Sequence, residues 1–270
     1  MNRSKYILIS LLLLTLTTTA CTAKEKPADA SKDLISPVVA GMTTPDLDVG
    51  HPPTTTLINN NMKSLYYAGP EQGKQVALTF DDGPDNRFTL QILDILKKNN
   101  VKATFFIIGE QAKAHPEVVK RIVNEGHVIG NHSWDHSNFT KINTEEMNQE
   151  ISSTQDELNA IVGFRPTLFR PPYGALNSSE VRAISSMGLS IIDWSVDTRD
   201  WAGTPTQQIL KNVKKELKPG GIILQHCAIG KKESLSNTVN ALEQMIPLLK
   251  NEGYSFVTVP TLLSLPDSQK

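Results

Sequence analysis

Two cysteines in 270 residues, Cys21 and Cys227, are too few for a disulfide framework, and the pair lacks the spacing of a structural zinc site. Any metal held by the chain must therefore rest on histidine and carboxylate. Neither sign of charge is in excess: 27 Lys and Arg face 28 Asp and Glu, which excludes a polyanion such as nucleic acid as the expected partner. No GxGxxG and no GxxxxGKS/T follows the first apolar run of the interior, so the usual markers of nucleotide binding are missing. The apolar run at 6–14 falls short of the about 20 residues that a membrane-spanning helix needs. What is present is 39% hydrophobic and 20% charged residues, enough to bury a core and too much for wholesale disorder.

The first twenty residues place Arg3 and Lys5 ahead of that apolar run and small residues after it, which is the layout of an export signal. Cys21 directly follows Ala20, as in a bacterial lipoprotein signal, where this cysteine is lipidated and becomes the new N-terminus. The expectation is a protein anchored by lipid to the outer face of the cell membrane. Cleavage nearby, for instance after Ala23, with release from the cell is the alternative. From 22 to 66 the chain is rich in Pro, Thr, Asp and Asn without an apolar period, the composition of a flexible tether. A folded domain is expected at 67–265, and a monomer is the neutral expectation.

Within that domain short apolar runs alternate with helical periods. Strands are expected at 75–80, 103–108, 128–130, 168–170, 190–195, 221–225 and 255–257, with helices at 88–98, after Pro116 and at 144–161. Seven such units in under 200 residues indicate a parallel α/β fold. Polar residues gather where the strands end: Asp81 and Asp82, His132 and His136, Arg170, His226. One site fed by many strand ends favours a (β/α) barrel of irregular form over an open doubly wound sheet.

His132 and His136 lie four apart, which on a helical turn would put both imidazoles on one face. Asp82 adds a carboxylate, and three such ligands leave positions open on a divalent ion, with zinc as the default and cobalt suited as well. Successive side chains of a strand face opposite ways, so a bend at Gly83-Pro84 must turn Asp81 and Asp82 toward one place. If Asp82 takes the ion, Asp81 is placed to act as general base on the attacking water. Each piece alone has a plainer explanation: DDGPDN as a solvated turn, the His pair as surface, Arg170 as an ion-pair residue, Trp201 and Leu224 as core. Convergence on one face of a barrel is what favours chemistry. His51, His115 and His127 belong to no such group.

TFDDGP at 79–84, HSWDH at 132–136, RPPYG at 170–174, DTRDW at 197–201 and LQH at 224–226 occur in the order and approximate spacing of five motifs. With these the chain resembles the NodB-homology polysaccharide deacetylases, carbohydrate esterase family 4, over about residues 74–260. The resemblance implies a distorted, seven-stranded (β/α) barrel, a divalent metal, and removal of acetyl groups from N-acetylglucosamine units of peptidoglycan or chitin-type glycans. It makes Asp81 the base, Asp82, His132 and His136 the metal ligands, and His226 the general acid. Arg170 would orient Asp81, and Asp200, favoured over Asp197, would hold His226. Trp201 and Leu224 would line the acetyl pocket, and Tyr173 would bind substrate and offer its backbone N–H to the oxyanion. Cys227 stands where relatives carry Asp after the His, so a buried, reduced thiol is expected there.

Overall fold

The computed structural model describes residues 65–71, 73–230 and 234–269. The export signal with Cys21, and the tether as far as residue 64, lie outside the described residues.

Among the described residues nine strands form one sheet: β1 (Leu65–Tyr66), β2 (Gln75–Asp81), β3 (Thr104–Ile107), β4 (Val128–Asn131), β5 (Leu168–Phe169), β6 (Ser190–Ile192), β7 (Val196–Asp197), β8 (Gly221–His226) and β9 (Ser255–Phe256). Their order is β1-β6-β5-β4-β3-β2-β8-β7, with β9 added against the start of β2, and every ladder is parallel. The seven expected strands are all present. Two more, β1 and β7, go beyond the expectation, and β7 begins just past the stretch 190–195 expected as a single strand. Leu65 and Tyr66, expected as the end of the tether, instead form β1 by pairing with Ile191 and Ile192, so the folded part begins before residue 67.

The expected seven-stranded barrel is therefore corrected to a curled half-barrel of parallel strands. Among the described residues no ladder joins β7 to β1. The chain after β1 instead returns to the start of β8 through a single antiparallel bridge, Ala68 to Gly221, and the Gly69 N–H donates to the Gly220 carbonyl at 2.8 Å.

Strand periodicity divides the core into two layers. In β2, Val76, Leu78 and Phe80 face outward and pack with Ile92 and Leu96 of α1 (Phe88–Lys98), Val119 of α3 (Pro116–Asn124) and Met245 of α7 (Ser236–Asn251). A short helix, α2 (Gly109–Ala114), precedes α3, whose first residue is Pro116, where a missing N–H costs nothing. Helices α4 (Thr144–Val162) and α5 (Ser178–Ser186) each begin with a capping box, Asn143 with Glu146 and Asn177 with Glu180. Helix α6 (Thr206–Glu216) lies between β7 and β8.

Ala77 faces inward, with Phe106, Leu168, Ile192 and Ile222. Val259 and Leu262 of the last helix, α8 (Val259–Leu263), complete this inner cluster, and the Val259 N–H donates to Thr104 Oγ1 at the start of β3. The inner face is thus filled with apolar side chains near the strand starts. Its other end, where the strands finish, is left to polar residues.

Leu262 is 4% exposed, and a Cβ added to Gly69 would stand 2.5 Å from its Cγ. Leu262→Ala is expected to lower unfolding stability by about 2–5 kcal/mol. Gly69→Ala should cost less in that background than alone, because the clash has been removed. Urea denaturation of the two single variants and the double variant checks this, and strictly additive losses would contradict it.

Candidate active site

Asp81 is the last residue of β2 and follows Ala77 and Thr79 on the inward face, so the strand itself aims its carboxylate into the half-barrel. Asp82, next along, would point away if the strand continued. It adopts a left-handed backbone instead, φ +72°, directly before the cis Gly83-Pro84 peptide, and its side chain returns to the same side.

The HSWDH segment departs from expectation in its backbone. It is not a helical turn: residues 132–138 are irregular, with Ser133 at φ +67° and His136 at φ +68°. Left-handed backbone at a non-glycine residue costs of order 1–3 kcal/mol and survives only where the surroundings hold it. The two imidazoles nevertheless meet, their ring centroids 5.1 Å apart.

His132 Nε2 and His136 Nε2 each lie 3.4 Å from Asp82 Oδ1. An ion bound at about 2.0–2.1 Å from each donor sets tetrahedral neighbours about 3.3–3.4 Å apart, so these separations suit a shared ion. Asp82 Oδ1 is buried and has no hydrogen-bond partner, which is what a ligand atom awaiting a cation looks like. His132 Nδ1–H donates to the Arg170 carbonyl at 2.7 Å, which leaves the Nε2 lone pair free and fixes the ring. Burial and the neighbouring His132 push the His136 imidazole down, toward the neutral form a metal requires. Burial pushes the Asp82 carboxyl up, but the His132 contact and the charges of His226 and His136 outweigh it and hold the group at about 2.

Arg170 follows β5 and is fully buried. Its guanidinium donates to Asp81 Oδ1 and Thr79 Oγ1, both at 2.8 Å, and to the carbonyls of Ile192 and Asp193, both at 3.0 Å. It also lies over the Phe106 ring, 4.2 Å from the centroid. Asp81 Oδ1 is thereby engaged, while Oδ2 faces His132 Nε2 at 3.7 Å.

His226 ends β8, where the parallel register sets it beside Asp81. Asp200 is the carboxylate that holds it: Oδ1 accepts from His226 Nδ1–H at 2.7 Å and from the Trp201 N–H, and Oδ2 accepts from the His226 N–H and the Thr238 hydroxyl. Asp197 does not reach His226; its Oδ1 accepts from the Arg199 N–H and shapes the loop. Burial would push the His226 imidazole down, but Asp200, with smaller help from Asp82 and Asp81, pulls it up to about 10.

Tyr173, 66% exposed, sits in a left-handed turn at φ +62°, its ring edge-on to His136 at 4.6 Å. Trp201, 48% exposed, follows Asp200, and Leu224 lies two register pairs before His226 on the inward side of β8. Cys227 is buried, and burial pushes its thiol well above the ordinary range. Its N–H and Sγ–H both point to the Asp81 carbonyl, so it braces the DDG turn.

Supporting residues escaped the sequence. Thr79 and Asn131 adjoin the recognised residues and could have been suspected from that. Glu150 and Thr238 are remote in sequence from the loops they hold and carry no local signal. Asp193, whose carboxyl burial raises to about 7 against the opposing charge of Arg170, was likewise unmarked.

With this geometry in hand, comparison with known proteins is specific. Residues 68–192 match the model of the polysaccharide deacetylase family. A peptidoglycan-N-acetylglucosamine deacetylase of Bacillus cereus is 45% identical over 204 residues, which cover 76% of this chain and 74% of that protein. The chain belongs to the polysaccharide deacetylase family. Peptidoglycan-N-acetylglucosamine deacetylase PgdA of Listeria monocytogenes is 42% identical over 189 residues, but the match spans only 39% of that longer protein. The crystal structure of the Bc1960 peptidoglycan N-acetylglucosamine deacetylase, bound to 4-naphthalen-1-yl-N-oxidanyl-benzamide, superposes with a TM-score of 0.73 at 44% identity, covering 76% of this chain and 95% of that one. Deacetylases of this family use a divalent metal, and Asp82, His132 and His136 fit one: their ligand atoms lie within 4.8 Å of one another, and the orphaned oxygen of Asp82 is among them.

The raised value of His226 has a definite sign. Its contribution to stability is complete below the ordinary imidazole value of about 6.5 and is lost as pH rises through about 10. Asp200→Asn removes the main upward influence, so an NMR titration of the metal-free chain should find the His226 imidazole titrating lower. An unchanged titration would rule out Asp200 as the group that sustains the charge.

Proposed function

We propose that this chain is a metal-dependent hydrolase that removes N-acetyl groups from N-acetylglucosamine residues of a cell-wall or chitin-type glycan, releasing acetate. The observation that carries this reading is the division of roles across adjacent strands. Asp81 ends β2 with one oxygen held by Arg170 and the other facing the Asp82–His132–His136 cluster. His226 ends β8 beside it, held protonated by Asp200. A base and an acid on neighbouring strand ends, next to a three-ligand cluster, are what amide hydrolysis without a covalent intermediate requires.

Asp82, His132 and His136 would hold the ion, zinc by the donor set with cobalt also suited; once bound it supplies Lewis-acid polarisation of the acetyl carbonyl. Asp81 Oδ2 takes the proton of the attacking water. Arg170 holds the Asp81 carboxylate in place, so the proton transfer needs no rearrangement. His226, with Nδ1–H on Asp200, presents Nε2–H to the departing nitrogen, which leaves as a free amine of glucosamine. The Tyr173 backbone N–H adds a donor for the developing oxyanion. Trp201 and Leu224 form the wall against which the acetyl methyl rests, and the exposed Tyr173 ring flanks the glycan.

Peptidoglycan is the favoured substrate on two grounds. The relatives with the highest identities above are named for it, and the signal-like segment ending at Cys21 would anchor the enzyme at the outer face of the membrane, beside the wall.

Asp81→Asn should retain zinc while turnover falls by about 10²–10⁴-fold, the usual worth of a positioned base. His132→Ala should lose zinc and turnover together. Acetate release from N-acetylated peptidoglycan, chitooligosaccharides and acetylated xylan, each with and without a chelator, tests the reading. Release from xylan alone would replace amide hydrolysis with ester hydrolysis. Tight glycan binding with no acetate would make the chain a binding module.

A further inference from the structure

The His pair sits on an irregular loop, and the partners of its backbone donors show what holds it. The His132 N–H goes to the Ile107 carbonyl at 2.9 Å, and the Ser133 N–H to Asn131 Oδ1 at 2.9 Å. The His136 N–H goes to Ser133 Oγ at 3.0 Å, and the Ser137 N–H to Asp135 Oδ1 at 2.9 Å. The two donors between them, Trp134 N–H and Asp135 N–H, converge on one atom, Glu150 Oε2, at 2.9 and 3.1 Å.

Successive N–H groups turned to one side form a concavity for an anion. Here the anion is a side chain of α4, and it grips the loop between its two left-handed residues, Ser133 and His136. The next residue of α4 grips the start of the same loop, since Asn131 Nδ2–H donates to the Ile151 carbonyl at 2.9 Å. Residues 150 and 151 therefore brace the middle and the start of the turn that carries His136 back to Asp82. Neither touches a ligand atom of the cluster.

We propose that Glu150 is a positioning residue for metal binding: by taking the Trp134 and Asp135 amides it sets the loop conformation in which His136 faces Asp82. The inference rests on reading Asp82, His132 and His136 as a metal site. Its chemistry calls for an acceptor of the length of Glu, and the negative charge is secondary, because both bonds go to a single oxygen.

The test is a zinc titration of the metal-free full chain against a chromophoric chelator, for wild type and three variants. Glu150→Ala should weaken zinc binding by about tenfold or more, within the 10–100-fold range that loss of supporting groups around metal ligands costs. Glu150→Asp, one methylene too short to reach both amides, should weaken it by at least about threefold, and Glu150→Gln, which keeps the acceptor oxygen, should stay within about threefold of wild type. Thermal melting of the metal-free variants separates positioning from general stability: affinity should fall further than the change in melting accounts for, and saturating zinc should restore kcat. Should Glu150→Ala fail to fold, the comparison of Glu150→Asp with Glu150→Gln decides, and equal affinities would overturn the proposal. Wild-type affinity in a folded Glu150→Ala would overturn it directly. A wild-type chain that takes up no zinc would instead refute the metal reading on which it stands.

Discussion

A guanidinium with no exposure lies on the inner face of the sheet, and the arrangement of the site follows from how Arg170 is accommodated. Taking such a charge out of water costs several kcal/mol, and removing a single partner from a buried pair is more damaging still, because an uncompensated charge remains. Arg170 meets that cost with the Asp81 carboxylate, the Thr79 hydroxyl and two backbone carbonyls, contributed by β2 and by β6 and the residue after it. Its own carbonyl receives His132 Nδ1–H. One residue thus fixes the Asp81 carboxylate, sets the tautomer of His132 and ties three segments of the sheet together. A lysine, with a point charge and no planar fork, would not serve all these partners at once.

The second constraint is register. Because β2 and β8 are neighbours and parallel, Asp81 and His226 arrive side by side at the same end of the sheet. The two groups meet opposite environments: Arg170 lies behind the carboxylate and Asp200 behind the imidazole. Asp200 in turn accepts four hydrogen bonds, from Trp201, His226 and Thr238. It is therefore held as firmly as the ring it supports. The filled inner layer beneath, closed by Val259 and Leu262 of α8, leaves the strand ends as the place where polar groups can gather.

Loops around the site are less regular than their motifs imply, and the irregularity serves placement. Asp82, Ser133, His136 and Tyr173 all adopt left-handed backbone without being glycine. A strand or helix could not bring Asp82 alongside Asp81, nor turn His136 back upon His132, with its side chains in their regular directions. The spacing of four in HSWDH coincides with a helical period, yet the imidazoles meet through a turn held by Glu150 and Asn131.

The sequence by itself determined the parallel α/β class, seven of the described strands and the polar residues gathered at the strand ends. Apolar periodicity records burial directly, and chemistry at strand ends leaves short contiguous motifs. Tertiary structure alone decided strands β1 and β7 and the half-barrel form of the sheet, and it sets Asp200, which the sequence reading favours over Asp197, against His226. It also decided the work of Glu150, Thr238 and Cys227. These depend on which segments become neighbours across the sheet, and a hydrogen bond between residues far apart in the chain leaves no local pattern in either partner.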